Sequence, residues 1–102
     1  MMTTVHARTD AEIARGFAAL LRNHPAVQRL WSRRDGDAIE FWVLTEPISH
    51  ASELSIYQLA TPFREQFPGL HPRIHVIHAG LYDTDTFMFH EPLGAELVQL
   101  SR

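Results

Sequence analysis

Ile13, Phe17, Leu20 and Leu21 recur at the three- and four-residue spacing that places side chains on one face of a helix. Arg15, Gly16 and the small residues Ala14, Ala18 and Ala19 fill the positions between them. Thr9 stands three residues before Glu12, the form of a capping box in which each side chain satisfies a free backbone N–H. Asn23-His24-Pro25 closes the segment, because proline disfavours a helical residue before it. This pattern predicts a first helix over 9–23.

The period then changes. Residues 26–33 can be read as a short helix, but a strand is preferred because Asp35-Gly36, a strong turn signal, follows them. Beyond the turn, residues 38–45 alternate: Ile39, Phe41 and Val43 point one way, and Glu40, Trp42 and Leu44 the other. Pro47 ends this strand, and either Ser49 or Ser52 can cap the helix after it. Ile56, Leu59, Ala60, Phe63 and Phe67 form that helix's apolar face. Pro62 predicts a kink or a restart within it, since an interior proline costs about 3 kcal/mol. Pro68-Gly69 stops the helix, residues 72–79 read as a third strand, 80–94 as a long loop, and 95–100 as a last strand.

The expected fold is a single α+β domain over 1–102, with 1–8 as a loose N-terminal arm. Its order is α-β-β-α-β-β, a four-stranded mixed sheet with two helices on one face. The length suits one modest core.

Composition removes several functions. With no cysteine there is no disulfide, no thiolate nucleophile and no Cys-based zinc site. All nine basic residues are arginine, so Schiff-base chemistry and lysine-dependent phosphate loops are excluded; such complete replacement of lysine accompanies GC-rich genomes. A net charge of −3 predicts no nucleic-acid partner. No apolar run is long enough for a membrane span, and the polar start MMTTVHARTD lacks the apolar centre of a secretory signal. A cytoplasmic location is the expectation, and no cofactor motif is present.

Candidate chemistry concentrates in residues 71–91, HPRIHVIHAGLYDTDTFMFHE. On a strand, His71, Arg73, His75 and Ile77 share one face, and Ile74, Val76 and His78 the other. His71 and His75 are then about 13 Å apart, too far to share one ion by local geometry. A metal or acid–base site therefore needs the loop, with Asp83, Asp85 and His90 folding back on His75 or His78.

The alternative feature is apolar. If Ile39, Phe41 and Val43 meet the helices, Trp42, Leu44 and Ile77 face outward, and Trp31 can join them. An open sheet face is ordinarily polar, so this one predicts a cover. Either the loop supplies it, with Leu81, Tyr82, Phe87, Met88 and Phe89, or a homo-oligomer or protein partner does. The leading expectation is association without catalysis.

The order of elements, the strand in DGDAIEFWVLTE and the ending GAELVQLSR resemble a minimal nucleotidyltransferase-like domain. That family implies a Gly-Ser turn and paired acidic residues that hold magnesium. Here Trp31-Ser32-Arg33-Arg34 occupies the turn region. Asp37 and Glu40 are three residues apart instead of two, and Arg73 and His75 stand where a third acid is wanted. The resemblance thus implies a degenerate relative without transferase activity. The segment pattern is also similar to that of small uncharacterised bacterial proteins, which implies no activity.

Overall fold

The computed structural model describes residues 9–79 and 94–100. It has the α+β architecture expected. Helix α1 (Asp10–Leu20) runs into a 3-10 turn (Leu21–Asn23) and is followed by strands β1 (Val27–Asp35) and β2 (Ala38–Thr45). Helices α2 (His50–Tyr57) and α3 (Ala60–Gln66) come next, then β3 (His71–His78) and β4 (Glu96–Val98). The sheet order is β3-β2-β1-β4. β1 lies antiparallel to both β2 and β4, while β2 and β3 are parallel, so the sheet is mixed.

Local signals act largely as read. The Glu12 N–H donates to Thr9 Oγ1 at 3.1 Å, and the Thr9 hydroxyl donates to the Glu12 carboxylate at 3.2 Å. Only half of the expected box forms: the Glu12 carboxylate takes the Thr9 hydroxyl instead of the Thr9 backbone N–H. Ser49, and not Ser52, caps α2, accepting from the Ser52 N–H at 3.1 Å.

Three boundaries differ from the pattern. β1 extends to Asp35, because the turn centres on Gly36-Asp37 instead of Asp35-Gly36; Gly36 takes φ 62° and Asp35 pairs with Ala38. A glycine at the first central position supplies the positive φ that such a tight hairpin needs. The second helix is two helices, broken at Gln58-Leu59. Pro62 then falls in the first turn of α3, where its missing N–H has no intrahelical acceptor to lose. The last strand shortens to three residues. The N-terminal arm and nearly all of the expected loop lie outside the described residues.

One core joins the helices to one face of the sheet. Ile13, Phe17 and Leu21 from α1 and its 3-10 turn, Ile56 from α2 and Phe63 and Phe67 from α3 pack with Leu30, Ile39, Phe41 and Val43. Phe17 and Phe41 stack at 4.0 Å with rings 10° apart, and Phe63 meets both edge-on. Ile39, Phe41 and Val43 therefore point inward as the alternation requires, and the opposite face of β2 points away from the helices.

Candidate functional site

That opposite face is laid out by the strand register. Paired residues share a face, which gives three rows across the sheet. Arg33 (β1), Glu40 (β2) and Arg73 (β3) form the first. Leu97 (β4), Trp31, Trp42 and His75 form the second. Arg29, Leu44 and Ile77 form the third; Arg29 shares this face with Trp31 and Arg33 by alternation, and the irregularity between Val27 and Arg29 turns Val27 to the helix side. The face combines arginines at its borders with apolar side chains at its centre.

Glu40 organises the centre. Its Oε1 accepts from Arg33 Nη2 at 2.7 Å, and its Oε2 accepts from His75 Nε2 at 3.0 Å. Trp42 lies beside these groups. His75 stacks on it from the β3 side at 5.4 Å, with rings 20° apart, and the Arg33 guanidinium sits 5.3 Å from its ring on the β1 side. An Arg–Trp–His stack thus spans three strands and is tied together below by one carboxylate. The Arg33 hydrogen bond, assisted by the one from His75, holds the Glu40 carboxyl below the usual glutamate range, against the opposing effect of burial.

The candidate association residues divide by accessibility. Trp42, Leu44 and Ile77 are half-buried, and Leu97, which the sequence reading did not single out, is 60% exposed. Trp31 is on the same face but only 1% exposed, so its ring is not available to a partner. The candidate histidines separate as their alternation requires. His75 is exposed on this face; His78 faces the helices and bonds to Glu53 of α2. Asp83, Asp85 and His90 lie outside the described residues. Among the described residues no group of three or more histidines and carboxylates is placed to hold a metal ion. Asp37 is exposed in the turn, about 3.9 Å from His71, and does not meet Glu40.

No known protein family, curated protein or solved structure matches this chain. Its function is therefore read from its own residues. An open recess of about 590 Å³ at the β1–β4 edge is lined by Gln28, Arg29, Leu97, Val98, Gln99 and Leu100, which include no acid, base or nucleophile suited to catalysis. The outer face offers binding groups more than reactive ones: a positioned carboxylate already satisfied by two partners, and cations beside apolar side chains.

The Glu40 network has a testable pH signature. A carboxyl whose pKa is depressed by folding adds stability above its unfolded pKa, and that contribution is lost as pH falls through the folded value. Glu40→Gln is expected to cost about 1 kcal/mol at neutral pH. The gap between variant and wild type should close as pH falls below about 4. Urea unfolding across that range measures it, and a gap that stays constant with pH would rule the ion network out as its source.

Proposed function

We propose that this chain is a non-catalytic binding protein that acts by association, as a homo-oligomer or with a protein partner, through the sheet face opposite its helices. One observation supports the reading above others: Trp42, Leu44, Ile77 and Leu97 gather on that face, flanked by Arg29 and Arg73. Aromatic and aliphatic side chains bordered by arginine are the composition of interface centres, where a few such groups carry most of the binding energy. The reading includes a cytoplasmic location, which a chain without cysteine suits. No described helix is long and apolar enough to cross a membrane.

Sedimentation velocity of wild type and Trp42→Glu is the test, with a pull-down from expressing cells beside it. The variant should lose the oligomeric mass or the partner while its far-UV circular dichroism stays native. Because Trp42 is packed between Arg33 and His75, Leu97→Glu serves as a second variant at an exposed position. A wild type that stays monomeric at every concentration and retains no partner would overturn the reading.

A further inference from the structure

A small polar cavity lies at the corner where β1, β4 and the start of α1 meet, on the helix side of the sheet. Its volume is about 180 Å³, and Asp10, Ser32, Arg34, Ile39 and Glu96 are among its walls. Strand register explains why these groups converge. Ser32 pairs with Phe41 and Arg34 with Ile39, both core residues, so Ser32 and Arg34 face the helices. Glu96 stands opposite Ser32 on β4 and shares that face. Asp10, the first residue of α1, adds a second carboxylate from the helix layer.

The cavity has two unlike ends, about 7 Å apart at the two-residue spacing of Ser32 and Arg34. At one end, the Glu96 carboxylate and the Ser32 hydroxyl have no hydrogen-bond partner among the described residues. At the other, Arg34 is held in place. Its Nε donates to the Gly36 carbonyl at 2.5 Å and its Nη1 to the Asp10 carboxylate at 3.2 Å. A guanidinium carries five N–H donors, so this anchoring leaves donors over for another acceptor. The Arg33 guanidinium takes no part, because it is bound to Glu40 on the opposite face.

We propose that this corner binds a small zwitterion of the α-amino-acid class, its ammonium on Glu96 and Ser32 and its carboxylate on the remaining N–H donors of Arg34. The inference goes beyond the association reading and does not depend on it. Charge selects the ligand. A simple anion would meet Arg34 but also face Glu96, and a simple cation would meet Glu96 but also face Arg34. A zwitterion presents the opposite charge to each end. A bare metal ion fits poorly, since Arg34 already sets a positive charge beside Asp10. Size sets the limit: the cavity equals the liquid volume of about six water molecules, well below that of drug-sized pockets. Asp10 acts as a positioning residue, fixing Arg34 before the ligand arrives.

The test is a titration of the full chain with L-alanine, followed by amide NMR, with acetate, ethylammonium and magnesium as separate probes. Alanine should shift the amides of Ser32, Arg34 and Glu96 to saturation, and each of the other probes should bind at least about tenfold more weakly. Glu96→Gln, at an exposed position, should weaken alanine binding about tenfold while leaving the far-UV circular dichroism native. Asp10→Asn should weaken it less, because Gly36 still holds Arg34. The absence of a saturable shift with alanine, binding of acetate, ethylammonium or magnesium as tight as that of alanine, or unchanged binding by Glu96→Gln each overturns the proposal.

Discussion

Replacing Phe41 with alanine is expected to destabilise the protein by about 3–5 kcal/mol, the range for truncating a fully buried aromatic ring. Phe41 is fully buried at the centre of the core, stacked on Phe17 and meeting Phe63 edge-on. Its loss removes ring contacts to α1 and α3 together and leaves a cavity that neither rigid helix can fill alone. A domain of this length has about 5–15 kcal/mol in total, and each kcal/mol corresponds to about 4–8 °C in Tm. The variant should therefore melt some 15 °C or more below wild type, or fail to fold at 37 °C. Urea unfolding followed by circular dichroism measures it. A loss under about 1 kcal/mol would mean that the ring is not the keystone its packing indicates.

The second large effect runs against helix propensity. Gly16 is inside α1, where alanine is ordinarily better by about 1 kcal/mol. A Cβ built there lies 2.5 Å from Phe67 Cε2 and 2.6 Å from Cζ, well inside van der Waals contact. Phe67 is itself buried against Phe63, so the ring has little room to withdraw. Gly16→Ala should thus lower stability by about 1–3 kcal/mol, the cost of overpacking. Combining it with Phe67→Leu separates the causes. If the clash is responsible, the double variant is more stable than the two single losses added together. A stabilising Gly16→Ala would show that α1 and α3 yield at this contact.

Much of the fold was legible because it is encoded locally. The three- and four-residue spacing of Ile13, Phe17 and Leu21 marks α1, Thr9 and Ser49 mark two helix starts, and the alternation from Ile39 to Leu44 assigns each side of β2. The common face of Glu40, Trp42 and Leu44 was readable for the same reason. Their partners were not. Whether Glu40 meets Arg33, Arg73 or His75 depends on the register of β1 and β3 against β2, and no pattern within one strand reports register to another. The alternation therefore shows Glu40 facing outward without naming its partners, and nothing local connects Glu53 with His78. The break at Gln58-Leu59 was misplaced by a few residues because Pro62 is tolerated in a first turn, which lets α3 begin before it. Trp31 shows the limit of alternation: it assigned the ring to the correct face and said nothing of its burial.

The short attachment of β4 governs how the sheet opens. β1 and β2 are joined by a two-residue turn and paired along most of their length, whereas among the described residues β4 pairs with β1 only at Leu30, Trp31 and Ser32, with Val98 and Leu100 packed on the rim of the core. Detaching β4 breaks few hydrogen bonds and leaves the hairpin, the helices and β3 intact. The sheet is thus asymmetric in mechanical terms: the β3 border is paired with β2 along its whole length, and the short β4 border can fray before the domain itself unfolds.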